Sequence, residues 1–195
     1  MARREHHSRR VTLWRGARFR AVPPHDVRIP VPRADELRPD AAQVVAAIAP
    51  PGREPAKTMA VLARQPDLLQ PFLGWAAALA LQGVLPHREH ELLALRAAAI
   101  CGSDFEWVEH AEYARAAGLT DGEIAAVARA VRSHSWTPRE AALLRTTDEL
   151  IADHDVSDAT WAQLASHFDL PALVEILFVV GQYTMLSMVA NAAGV

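Results

Sequence analysis

The chain has 195 residues, 51% of them hydrophobic, with 20 basic and 23 acidic side chains and a net charge of −3. That much apolar material excludes global disorder, and the near balance of charge argues against nucleic-acid binding by the whole domain. The single cysteine, Cys101, excludes an internal disulfide framework.

Residues 1–34 read as an N-terminal extension, partly extended or mobile. Its arginines have no apolar periodicity behind them, and its basic start lacks the apolar run of a signal peptide. Pro23, Pro24, Pro30 and Pro32 make an extended lead-in, because proline fixes φ and biases its predecessor away from helix. Residues 35–195 read as one all-α domain. Alanine is abundant and loses no side-chain entropy in a helix, while no strand or hairpin signal occurs.

A first helix is expected from Pro39 to Ala49, stopped by Pro50-Pro51-Gly52, and a second from Ala56 to Arg64. Pro66-Asp67 opens a third, with Leu69, Phe72, Leu73, Ala76 and Ala80 at helical spacing until Gly83 and Pro86. A fourth runs from His87 or Arg88 to Ile100. Ser103 or Asp104 caps the fifth, which ends at Ala117 before Gly118.

Thr120-Asp121-Gly122-Glu123 and Thr137-Pro138-Arg139-Glu140 are capping boxes, opening helices to about Val131 and Asp153. Ser157 starts a short helix to His167, and Pro171 starts the last, ending near Ala193. The apolar stretch from Leu173 to Val195 has nearly the length of a membrane span, but Glu175, Gln182, Tyr183 and Asn191 interrupt it. It reads as a buried core helix, with the cytoplasm as the default compartment.

Glu106 and His110 are four residues apart, so a helix puts them on one face. A carboxylate beside an imidazole orients the ring and equips it as a general acid or base. Trp107, three residues before His110, is placed to form an apolar wall. Spacing alone favours the plainer reading, a solvated helical ion pair, because Glu-x-x-x-His is a common pattern. His87 and His90 have metal-ligand spacing but no third ligand at a defined distance, so no metal site is assigned. His154-Asp155 is a two-residue match to a metal-binding dipeptide and carries no assignment. Cys101 reads as a buried structural thiol.

Three stretches together, Arg88–Arg96, Asp104–His110 and Ala114–Ile124, resemble the carboxymuconolactone decarboxylase family, as does the last helix from Leu173 to Leu186. The resemblance spans roughly residues 35–195 and implies the alkylhydroperoxidase-like helical bundle. Redox members of that superfamily carry Cys-x-x-Cys ahead of the histidine. Here those positions are Ser103 and Glu106, so dithiol peroxide reduction lacks both thiols. Glu91 fits the superfamily's proton-relay glutamate.

The resemblance thus implies a catalytic set of His110, Glu106 and Glu91. Phe105, Trp107 and Arg96 are expected to bind substrate, Arg96 through a carboxylate. It further implies a lyase without metal or organic cofactor, acting on a small carbonyl- or lactone-containing acid, and a homo-oligomer, trimer or hexamer. A tailoring enzyme performing isomerisation, cyclisation or hydrolysis on a bulkier aromatic substrate, and a non-catalytic helical scaffold, are the competing expectations.

Overall fold

The computed structural model describes residues 26–49, 52 and 54–195. The basic segment before Asp26 and the Pro50-Pro51 stop therefore lie outside the described residues. Nine α-helices occur among the described residues, and no strand. They are α1 (Pro39–Ile48), α2 (Lys57–Leu62), α3 (Pro66–Leu81), α4 (His87–Cys101), α5 (Asp104–Ala116), α6 (Asp121–Val127), α7 (Pro138–Asp153), α8 (Asp158–Ala165) and α9 (Leu170–Ala193).

Local chemistry sets most boundaries. The side chains of Ser103, Thr120, Thr137, Ser157 and Asp169 each accept a backbone N–H of the following first turn. Both capping boxes close, with Glu123 and Glu140 reaching back to the cap N–H. Gly102 (φ 62°) and Gly118 (φ 90°) take the left-handed conformation that turns the chain out of α4 and α5. The sixth helix is shorter than expected. It stops at Val127, and a 3-10 turn at Val131–Ser133 follows.

Helix α4 is the axis of the molecule. One face, with Leu93, Ala94 and Ala97, packs against α7, α8 and α9 through Leu143, Leu164, Ile176 and Val179. The other, with Leu92, Leu95 and Ala98, packs against α5 and α6 through Trp107, Ala111, Ala114 and Val127. Eleven consecutive residues of α4, Glu89–Ala99, are buried. A smaller cluster of Ala41, Val45, Ala60 and Leu69 ties α1, α2 and α3 together.

Ion pairs fasten the start of α4. Arg88 bridges Glu140 and Glu123, and Arg139 forks onto Glu89 at 2.5 and 2.9 Å while its guanidinium lies over the Phe168 ring. Helix α9 is long and apolar enough to cross a membrane, but half of that window is buried inside the fold. Its buried residues include Glu175, Gln182 and Tyr183, while Leu177, Phe178, Met185 and Met188 remain exposed. The extended lead-in from Asp26 docks on its far end, where Arg28 and Ile29 donate backbone N–H groups to the Ala193 carbonyl.

Candidate active site

Helices α4 and α5 form a tight pair across the Gly102 turn, which sets Glu91 of α4 against His110 of α5. The His110 Nδ1 lies 2.8 Å from Glu91 Oε2. Its other nitrogen, Nε2, lies 3.8 Å from Glu106 Oε2, one turn back on the same helix. The structure therefore brings Glu91, Glu106 and His110 together, with the imidazole between the two acids. All three are buried, at 8%, 3% and 9% exposure.

The two carboxyls differ. Glu91 is held by the His110 ring. Glu106 Oε1 is buried with no hydrogen-bond partner. Burial pushes the Glu106 carboxyl up to about 7; His110 opposes that shift and neighbouring Glu109 adds to it. A carboxyl that titrates near neutrality beside an imidazole can give and take a proton at ordinary pH. The 3.8 Å gap is too long for a direct hydrogen bond, so neither Nε2 nor the Glu106 carboxyl is tied up by the other.

Glu106 and His110 open onto a cavity of about 240 Å³ between α2, α3, α4, α5 and α9. Met59, Phe72, Leu79, Phe105 and Leu186 supply its apolar lining, and His90, Tyr113, Gln182 and Tyr183 its further polar groups. Glu109 also lines it, and no described lining residue is an arginine or lysine. Among the described residues no three His, Cys, Asp or Glu side chains are grouped as a metal would need. His87 is exposed at the helix start, whereas His90 is buried with its Nε2 2.8 Å from the Tyr183 hydroxyl.

Of the three residues expected to bind substrate, only Phe105 lines the cavity. Trp107 turns the other way, into the core between α4, α5 and α6, because one residue along a helix is a 100° rotation from Glu106. Arg96 is corrected as well. It is 2% exposed, and its guanidinium forks onto Asp148 and donates to the Val127 and Arg129 carbonyls. It holds α7 and the end of α6 to α4, and lines no part of the cavity. Cys101 is also absent from the lining, and burial pushes its thiol up, as expected of a structural cysteine.

Sequence reasoning missed Tyr183 and Gln182 as cavity residues and read His90 only as a weak metal ligand. The available signal was a polar pair inside an otherwise apolar helix.

Residues 66–149, which contain Glu91, Glu106 and His110, match the family model described as carboxymuconolactone decarboxylase family. This segment is similar to that family. Likeness in fold to solved structures extends beyond it. An uncharacterised peroxidase-related protein from Ralstonia eutropha JMP134, described as an alkylhydroperoxidase AhpD core, is 23% identical with a TM-score of 0.73, covering 86% of this chain and 90% of its own. A peroxidase-related protein from Silicibacter sp. TM1040 is 18% identical with a TM-score of 0.74, over 91% and 93%.

A protein of unknown function from Agrobacterium tumefaciens, ATU0492, is 26% identical with a TM-score of 0.61, over 65% and 88%. No curated protein matches the chain in sequence. The chain thus shares the all-α fold of these structures, built around the site helices α4 and α5.

Proposed function

We propose that this protein, similar over residues 66–149 to the carboxymuconolactone decarboxylase family, is an acid/base enzyme that moves a proton on a small carbonyl- or lactone-containing acid, with decarboxylation the leading reaction. The observation that carries it is Glu106: a buried carboxyl on the cavity wall, raised to about 7, beside an imidazole already held by Glu91. Loss of carbon dioxide from an unsaturated lactone acid leaves an electron pair delocalised into the carbonyl. That dienolate must then be protonated at carbon. Protonated Glu106 does not repel an incoming carboxylate, and it has a proton to give. The proton consumed comes from solvent: His110 takes it up on its Nε2 lone pair, passes it to the Glu106 carboxylate once the two side chains close to hydrogen-bonding distance, and returns to its neutral form, while Glu91 balances the transient imidazolium charge. The apolar lining strips water from the substrate carboxylate, whose charge is lost as carbon dioxide departs.

A second reading, isomerisation or cyclisation of a bulkier aromatic substrate, is favoured by Phe72, Phe105, Tyr113 and Tyr183 in a lining without described cations. It uses the same proton-transfer set. Dithiol peroxide reduction has no support here, since Cys101 is the only thiol and lies off the cavity.

The test is a panel of unsaturated lactone acids and β-keto acids, scored for carbon dioxide release and for solvent deuterium incorporation at carbon. The wild type is expected to turn over at least one of them, with His110→Ala and Glu106→Gln each reduced by about 10²-fold or more. Deuterium incorporation without carbon dioxide release would favour the second reading. Turnover in His110→Ala at the wild-type rate would remove the proton-transfer assignment altogether.

A further inference from the structure

A second polar pair lines the same cavity and has no part in the proton transfer above. Tyr183 of α9 and His90 of α4 are 7% and 4% exposed, and the His90 Nε2 stands 2.8 Å from the Tyr183 hydroxyl oxygen. Their rings meet edge to face at 89°, with centroids 5.4 Å apart. The Tyr183 ring also meets the His110 ring at 74° and 4.4 Å, so the second pair lies directly beside the first.

A buried phenol and a buried imidazole are costly in an apolar wall unless their hydrogen-bonding groups are used. Burial holds both neutral: it lowers His90 and raises Tyr183, the latter further opposed to ionising by Glu91 and Glu106. A phenol offers one donor and lone pairs to accept. When His90 donates through Nε2 to the phenol oxygen, the Tyr183 O–H is left to donate into the cavity. The reaction proposed above builds negative charge on a carbonyl oxygen. No arginine or lysine of the described lining is there to meet it, and a positioned neutral O–H is the kind of donor that stabilises such an oxyanion.

Resting on that acid/base reading, we infer that the Tyr183 hydroxyl, braced by His90, donates the hydrogen bond to the substrate's carbonyl oxygen. His90 is a positioning residue. The ligand class is a ketone, enone or lactone whose oxygen accepts from Tyr183 while its reacting carbon faces Glu106 and His110.

The probe is acetophenone labelled with ¹³C at the carbonyl, titrated into the full chain. A carbonyl carbon moves downfield when its oxygen accepts a hydrogen bond. Wild type is expected to bind saturably with a downfield shift. Tyr183→Phe keeps the ring packing and should lose the shift, with affinity lower by about tenfold. His90→Leu should weaken the shift and His90→Gln, which keeps a donor, should restore it. His110→Gln should leave it in place.

A second measurement serves if Tyr183→Phe does not fold. The chain has 2 tyrosines, so 3-fluorotyrosine gives two ¹⁹F signals, and the Tyr183 signal, assigned with Tyr113→Phe, should move with acetophenone. Absence of saturable binding, a full shift in Tyr183→Phe, or a static Tyr183 signal would each overturn the inference. A shift unchanged in His90→Leu would remove the role of His90. The acid/base reading fails separately, by wild-type turnover in His110→Ala, whatever acetophenone does.

Discussion

The His110 Nδ1 sits 2.8 Å from Glu91 Oε2, across the α4–α5 contact, and this distance decides the chemistry of the opposite nitrogen. A carboxylate at Glu91 can only accept, so in that pairing the ring donates from Nδ1. The Nε2 lone pair is thereby presented to Glu106. Replacing Glu91 by glutamine keeps the volume but lets the amide pair with either tautomer. Glu91→Gln should lower kcat by about 10- to 100-fold with KM little changed, measured on the first substrate found in the carbon dioxide panel. An unaltered kcat would mean that Glu91 only fills space.

Glu106 makes a separate prediction, in which activity and stability move together with pH. Its carboxyl titrates at about 7 in the folded protein against an ordinary 4.5, so the fold favours the protonated form. Stability from this group is full below pH 4.5, falls between 4.5 and 7, and is lost above 7. The unfolded chain ionises first over that window. The whole difference corresponds to about 3 kcal/mol. Glu106→Gln stays neutral throughout. It should therefore match wild type in thermal melting near pH 4 and exceed it at pH 8, while losing the fall in kcat through pH 7. Equal stabilisation at both pH values would show that Glu106 does not titrate in this range.

What could be read from the chain depended on how far apart the interacting residues lie. The caps at Ser103, Thr120 and Thr137 are contacts between residues three apart, and each appears in the fold as its spacing predicts. The Glu106–His110 pairing is likewise local. Helical spacing says that residues share a face but not what that face meets. Trp107 was therefore placed beside the imidazole, when α4 and α6 draw it into the core. Arg96 suffered the same error, because its partner Asp148 lies 52 residues away on α7. Tyr183 joins the site only through the packing of α9 on α4, and no local pattern pairs it with His90, 93 residues earlier. Glu91 came with the family resemblance rather than with any spacing.

Arg96 can now be tested as a structural clamp. Its side chain is 3% exposed and makes bonds of 2.5 and 2.8 Å to Asp148, with further bonds of 2.6 and 2.5 Å to the Val127 and Arg129 carbonyls. Methionine would fill most of the volume but leave the acid and both carbonyls without this donor. Arg96→Met should cost ~3 kcal/mol in denaturant unfolding. Arg96→Lys should recover only part, because an ammonium cannot reproduce the planar fork. Turnover per folded molecule should be unchanged in both, whereas a substrate-binding arginine would raise KM.

Gly83 and Glu175 should behave as a coupled pair. Glu175 reaches from α9 to the loop before α4, where its carboxylate accepts the N–H of Val84 at 2.5 Å and of Leu85 at 3.3 Å. A Cβ on Gly83 would lie 2.1 Å from Glu175 Oε1. The carboxylate is the end of a flexible side chain and can swing aside, but doing so releases the N–H groups it holds. Gly83→Ala should therefore cost about 1–3 kcal/mol, as should Glu175→Ala, which removes the acceptor directly. Once Glu175 is gone, alanine at 83 has nothing left to displace. The double variant should be less destabilised than the sum of the singles by about 1 kcal/mol, measured by urea unfolding of all four proteins. Strict additivity would mean that Gly83 is required for its own backbone and not for the acid that crosses over it.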